Sequence, residues 1–157
     1  FLAASGKLYL DSAVGYLLHY KVQLLPGAAF LDYTGISNGG AGTGSVPPRA
    51  TPTWKALTSV GYRADVFSIG LRWRYQNAMK DVSTVLTPAT AVAGVPAYSL
   101  WDTFASVRVN KQFELRAGVN NLFNKGLPFV ASSQNGTDTA LYDPIGRSFY
   151  MGVKFGF

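Results

Sequence analysis

The sequence predicts an all-β fold: about six antiparallel strands of a transmembrane β-barrel. Three observations carry this reading. Segments of period-2 alternation recur along the chain, the connections between them alternate long and short, and the charges within the segments fall on one face. Composition agrees. Charged residues are 14% of 157, against about 25% in ordinary domains, yet mean hydropathy is only +0.11. No stretch approaches the roughly 20 apolar residues of a transmembrane helix. Barrel strands dilute the hydropathy signal, because polar lumen-facing residues alternate with apolar lipid-facing ones. Cysteine is absent, so no disulfide framework and no cysteine-based metal site is expected.

The first segment, 7–24, sets Leu8, Leu10, Ser12, Val14, Tyr16, Leu18, Tyr20, Val22 and Leu24 against Lys7, Tyr9, Asp11, Ala13, Gly15, Leu17, His19, Lys21 and Gln23. Residues 54–62 oppose Trp54, Ala56, Thr58, Val60 and Tyr62 to Lys55, Leu57, Ser59 and Gly61, with Arg63 continuing the second face. Residues 67–76 oppose Phe67, Ile69, Leu71, Trp73 and Tyr75 to Ser68, Gly70, Arg72, Arg74 and Gln76. In 101–109, Trp101, Thr103, Ala105, Val107 and Val109 face away from Asp102, Phe104, Ser106 and Arg108. In 113–120, Phe113, Leu115, Ala117 and Val119 oppose Glu114, Arg116, Gly118 and Asn120. The last segment, 148–157, opposes Phe149, Met151, Val153, Phe155 and Phe157 to Ser148, Tyr150, Gly152, Lys154 and Gly156.

Nine basic and three acidic residues lie in these strands, all on the second face, and their excess equals the whole net charge of +6. The first face admits only Ser12, Thr58 and Thr103 as polar exceptions. That is the expected pattern where a charge costs about 2–4 kcal/mol at the bilayer midplane. A soluble sandwich would also alternate, with its apolar face inward. Against it stand aromatics at the strand ends of the apolar face: Trp54, Trp73, Tyr75, Trp101 and Phe149 at one end, Tyr62, Phe67, Phe113 and Phe157 at the other. These predict interfacial girdles. Glycines on the polar face (Gly15, Gly61, Gly70, Gly118, Gly152, Gly156) are expected to allow curvature and the close approach of a lumen filling.

Two connections are short, Arg63-Ala64-Asp65 and Asn110-Lys111-Gln112, while 26–53, 77–100 and 121–147 are long and rich in turn formers. Barrels of the outer membrane carry short periplasmic turns and long extracellular loops. The first strand is therefore expected to rise outward and the last to descend, leaving the C-terminus periplasmic.

The segment Asn120-Asn121-Leu122-Phe123-Asn124-Lys125 resembles the NNLFDK signature that closes the penultimate strand of TonB-dependent receptors, with asparagine where aspartate is usual. Gly146-Arg147-Ser148-Phe149-Tyr150 resembles the opening of their final strand, and the alternation up to Phe157 resembles the terminal signal read by the barrel-assembly machinery. Leu71-Arg72-Trp73-Arg74-Tyr75 and Thr53-Trp54-Lys55 fit the preceding strands of that family. The resemblance implies that 1–157 supply about six C-terminal strands of a larger barrel of about 22 strands, plugged by an N-terminal domain. It also implies uptake of a scarce nutrient, such as a ferric siderophore, across a Gram-negative outer membrane, powered by the TonB complex. Neither plug nor TonB box is expected within these residues. Six strands alone would leave open edges in lipid, so the rest of the barrel and the plug are expected from the same or a separate polypeptide. The first residues, Phe1-Leu2-Ala3-Ala4-Ser5, lack the basic region of a signal peptide; a leader removed earlier, or a start within a longer polypeptide, accounts for that. The alternatives are a passive porin, which would lack a plug, and an outer-membrane barrel enzyme, which would cluster a nucleophile and base at its rim.

No catalytic, metal or cofactor site is expected. His19 is the only histidine, and Asp11 shares its face eight residues away. At about 3.3 Å per residue the two cannot meet along a strand, and His19 reads as a solvated lumen residue. The glycine-rich stretch 39–44 lacks the lysine and following helix of a phosphate loop. The basic face has too few aromatics for a nucleic-acid stacking platform. By the resemblance, Arg72, Arg74, Arg108 and Arg116 are expected to meet plug carboxylates and rim loops, with attraction of an anionic ligand as their second reading. Tyr33, Trp101, Phe129 and Tyr142 are expected as exposed aromatics for ligand contact.

Overall fold

The computed structural model describes residues 6–37, 50–131, 133, 136–139 and 141–156. The strands are β1 (Lys7–Tyr16), β2 (Lys21–Gln23), β3 (Phe30–Asp32), β4 (Trp54–Arg63), β5 (Phe67–Gln76), β6 (Tyr98–Arg108), β7 (Phe113–Asn120) and β8 (Ser148–Phe155). Six of them form one sheet in the order β1-β4-β5-β6-β7-β8, antiparallel throughout, while β2 and β3 pair with each other. No helix among the described residues is long and apolar enough to cross a membrane.

The register joins the apolar alternations into a single surface. Leu10 lies opposite Val60, Val60 opposite Leu71, Leu71 opposite Thr103, Thr103 opposite Val119, and Val119 opposite Phe149. Directly opposed residues share a face, so a one-residue slip in any strand would have broken the surface. This apolar surface is not a core. Even on interior strands, Ile69 is 51% and Val107 48% exposed, and toward the edges Leu8 and Met151 exceed 80%. A sandwich would have covered those side chains; a barrel wall turns them to lipid.

At the long-loop end, Trp54 packs on Tyr75 at 4.7 Å, Tyr75 on Trp73 at 5.3 Å, and Trp73 on Trp101 at 6.2 Å. The Trp73 indole N–H donates to the Ser99 hydroxyl at 2.7 Å, which satisfies a polar group on the apolar face. At the short-turn end Tyr62 and Phe67 meet at 5.8 Å. The long-loop band is thus continuous across β4, β5 and β6, and the short-turn band is joined between β4 and β5; Phe157 lies outside the described residues.

The first predicted strand is shorter than expected. It stops at Tyr16, and residues 21–32 form a separate hairpin around Pro26-Gly27. Ala28 N–H bonds to the Leu25 carbonyl at 3.0 Å and Gly27 has φ +85°, the arrangement Pro-Gly provides in a type II turn. Lys21 therefore leaves the barrel wall, and His19 sits in the break rather than on a lumen strand. Its Nδ1 lies 3.3 Å from Asp32, not against Asp11.

The buried core sits among the long connections. Met79, Val95, Tyr98, Leu100, Val130 and Tyr142 pack together, with Tyr98 and Tyr142 edge to face at 5.0 Å. Bridges between Ile36 and Lys80 and between Met79 and Val95 tie the connections to one another. A short 3-10 helix, Val82–Val85, is capped by Asp81, whose side chain accepts the Ser83 N–H at 2.9 Å.

Candidate functional site

The polar face of the sheet carries the candidate site. Eight basic residues (Lys7, Lys55, Arg63, Arg72, Arg74, Arg108, Arg116, Lys154) and three acidic ones (Asp11, Asp102, Glu114) share it by register. Three glycines of this face, Gly61, Gly70 and Gly118, are covered from within the sheet. The Tyr9 ring lies against Gly61 and Gly70, Phe104 against Gly70, and Tyr150 against Gly118. An aromatic laid over a cross-strand glycine covers bare backbone and curves the sheet. Gly15, Gly152 and Gly156, by contrast, have open space around them, as expected of a face that leaves room for a lumen filling.

The four candidate arginines differ in how they are held. Arg74 forms a two-pronged ion pair with Asp102, Nε to Oδ2 at 2.8 Å and Nη2 to Oδ1 at 2.9 Å. Asp102 is the register partner of Arg72, yet it reaches diagonally to Arg74. Its Oδ1 also accepts the Asn121 N–H at 2.9 Å. Arg116 pairs along its own strand with Glu114 at 2.9 Å. Arg72 lies over the Phe104 ring at 5.6 Å, as Arg63 lies over Tyr9 at 5.4 Å; a guanidinium on a ring face keeps its N–H groups available. Among the described residues no carboxylate lies within ion-pair distance of Arg72 or Arg108.

Of the four aromatics expected to be exposed, Phe129 is 71% and Trp101 37% exposed. Tyr33 and Tyr142 are buried, at 4% and 1%. The reason is loop packing: Tyr142 enters the core with Tyr98, and the Tyr33 N–H is fastened to the Tyr20 carbonyl at 2.8 Å. Burial, with Asp138 nearby and Gln76 opposing, pushes the Tyr142 phenol up to about 12. Trp101 is not on a loop; it stands on the apolar face of β6 in the aromatic band.

Sequence reasoning missed the polar knot at the rim. Asn121 and Asn124 both have φ +52°, a left-handed conformation that asparagine tolerates better than most residues. The Asn121 side chain accepts the Lys125 N–H at 2.7 Å and donates to the Lys125 carbonyl at 2.9 Å. The Asn124 side chain accepts the Arg147 N–H at 3.2 Å, bringing the two ends of the β7–β8 connection together. Asparagine in place of aspartate at 124 thus keeps the needed acceptor. No group of three or more histidines, cysteines, aspartates or glutamates able to hold a metal occurs among the described residues.

An antiparallel wall with one apolar, aromatic-banded face, one cationic face, tight turns at one end and packed loops at the other defines a membrane β-barrel segment. Residues 2–122 match the family described as TonB dependent receptor-like, beta-barrel, and the chain belongs to that family. It is a family of outer-membrane transport receptors of Gram-negative bacteria. Among solved structures, a variant of the ferric enterobactin receptor PfeA from Pseudomonas aeruginosa superposes with TM-score 0.62 at 20% identity, covering 96% of this chain and 20% of that one. The siderophore receptor PiuA from Acinetobacter baumannii gives 0.57 at 23% identity over 95% of this chain and 19% of its own. The copper transporter OprC gives 0.54 at 18% identity, over 100% and 22%. The chain thus spans about one-fifth of the length of the receptors it matches. No curated protein sequence matches it.

Proposed function

We propose that this chain supplies the C-terminal wall of a barrel of about 22 strands that takes up a scarce nutrient across the outer membrane, driven by TonB acting on a plug domain. The observation that carries the reading is the continuous apolar, aromatic-banded face backed by a cationic one, in a chain of this family. The wall encloses, the plug moves, and the long connections stand outside with the C-terminus in the periplasm. The barrel-assembly signal at Phe157 belongs to the same proposal; that residue lies outside the described ones. Cargo identity rests on plug and loops. Ferric siderophore is the leading cargo class, since PfeA and PiuA are receptors of that kind by description, while OprC carries copper.

Within the site, Arg72 and Arg108 are proposed as contacts for the plug or an anionic ligand, because among the described residues no carboxylate pairs with them. Arg74 and Arg116 act through their own acidic partners and shape the wall. Phe129 is proposed as the outward aromatic contact. Tyr33 and Tyr142 act indirectly, by fixing the rim, and Trp101 meets lipid headgroups. The test is growth of a strain carrying the intact receptor on ferric siderophores as the sole iron source, with and without TonB. Growth that needs both receptor and TonB is expected. Uptake that persists without TonB would replace the reading with a passive pore.

A further inference from the structure

The rim beside β8 carries two cations that stand apart from the polar face. Across the sheet the aromatic band slants by register, from Trp54 on β4 through Trp73 and Trp101 to Phe149 on β8, as tilted strands require. At β8 the band therefore lies at Phe149, whose ring is exposed. Arg147 has the same parity as Phe149 and lies about 7 Å further toward the long-loop end along the chain. Lys125 is tied beside it. Asn124, which precedes Lys125, accepts the Arg147 N–H at 3.2 Å. The Asn121 side chain holds both backbone groups of Lys125, at 2.7 and 2.9 Å. The backbone of each cation is thus fixed, while both residues are exposed. Among the described residues no carboxylate lies within ion-pair distance of either, and neither 121–127 nor 145–149 contains an acid. Asp143 is turned to other work: it accepts the Ile145 N–H at 3.0 Å and lines a hollow with Lys55, Arg74 and Gln76 of the polar face. Phe123 and Ile145, each two residues ahead of a cation, are exposed as well.

We propose that Lys125 and Arg147 bind a phosphate of an outer-leaflet lipid, whose acyl chains run down past Phe149 and Met151. Guanidinium matches two phosphate oxygens, and ammonium adds a point charge. The pair stands just beyond the aromatic band, where headgroups lie. An amphiphile covers the two charges and the apolar residues around them together, whereas a soluble anion would leave Phe123 and Ile145 bare. The proposal rests on the barrel reading and on the long connections standing outside.

The test is native mass spectrometry of the intact receptor, stripped of lipid in detergent and titrated with bisphosphorylated lipid A or with the same lipid lacking its phosphates. The parent is expected to hold the phosphorylated form about a hundredfold more tightly, the scale of two charge-assisted contacts. Arg147→Gln and Lys125→Gln should each cut that ratio about tenfold, and the double variant should erase it. A mere change in packing would weaken both lipid forms alike and leave the ratio unmoved. Lys111→Gln, in the short turn at the opposite end, should keep the parent's ratio. Equal binding of the two lipids, or variants that keep the parent's ratio, would overturn the proposal. So would displacement of the lipid by an excess of inorganic phosphate, which would assign the pair to a soluble anion. Orientation is read separately: in a receptor otherwise free of cysteine, a membrane-impermeant maleimide should label Ala131→Cys, exposed in the β7–β8 connection, on intact cells. Without labelling, the outward placement of the connections falls and takes the proposal with it; labelling with an unmoved ratio sinks the proposal alone.

Discussion

Replacing Asp102 with alanine should release the rim from the wall. The carboxylate is 6% exposed and binds Arg74 through two contacts of 2.8 and 2.9 Å. It also holds the Asn121 N–H, the first residue of the β7–β8 connection, at 2.9 Å. Truncating one partner of a buried ion pair costs about 3–5 kcal/mol. Here Arg74 is 38% exposed, so water takes over part of its charge and that figure shrinks. The orphaned Asn121 amide adds a neutral loss of about 1 kcal/mol. Together these give about 2–4 kcal/mol, felt locally at the rim. Amide exchange reads such local opening directly. Protection of the Asn121 and Leu122 amides in the assembled barrel should fall by roughly 30- to 1,000-fold. Exchange in the middle of β4 and β5 should stay unchanged. Asp102→Asn, which retains an acceptor for Asn121 but loses the charge, should fall between. If Asp102→Ala leaves the Asn121 amide as protected as before, the carboxylate does not tie the connection to the wall and the reasoning fails.

Three further outcomes follow from the same geometry. Gly118→Val should block assembly, since a side chain there meets the Tyr150 ring and lies 2.6 Å from the Thr103 carbonyl. Gly152→Ala, with open space around it, should assemble normally, and gel migration of the folded band compares the two. Val60→Arg on the apolar face should cost about 2–4 kcal/mol and reduce the folded fraction, whereas Ser59→Arg beside it should be tolerated. Finally, the Tyr142 phenol is raised to about 12 from 10.0 by burial. Its folded state keeps a proton that the unfolded state has lost, so rim stability is full below pH 10 and falls as pH climbs toward 12. Tyrosinate absorbance should show a late-titrating group that disappears in Tyr142→Phe.

The wall was legible because each of its features is local. Alternation such as Phe67 to Gln76 follows from the two-residue repeat of a strand, and the exclusion of charge from one side follows from lipid on that side. The end of β1 was not. Leu17 to Gln23 continues the alternation on paper, but the Leu17 N–H bonds to the Thr53 carbonyl and the Tyr20 N–H to the Thr34 hydroxyl. Pro26-Gly27, flanked by alternating residues, was the signal that could have disclosed the β2–β3 hairpin. Loop burial was also out of reach: nothing near Tyr33 or Tyr142 in sequence announces packing against residues dozens of positions away. The same holds for Arg74 and Asp102, whose pairing is diagonal across β5 and β6 and needs the register before it can be seen. The signature at Asn120 to Lys125 was recognised as a motif. Its physical content, two left-handed asparagines that tie β6, β7 and the approach to β8, came from the structure.

In the membrane this sheet should turn Ile69, Leu71 and Trp73 toward lipid and Ser68, Gly70 and Arg72 toward the lumen. The segment contains no cysteine; single cysteines are placed along β5 in an intact receptor with any cysteines outside it replaced, spin-labelled and reconstituted into bilayers. Accessibility to oxygen, which concentrates in lipid, should peak at 69, 71 and 73, and accessibility to a water-soluble nickel chelate should not. Oxygen accessibility that shows no two-residue period, or that peaks at 68, 70 and 72, would contradict the account.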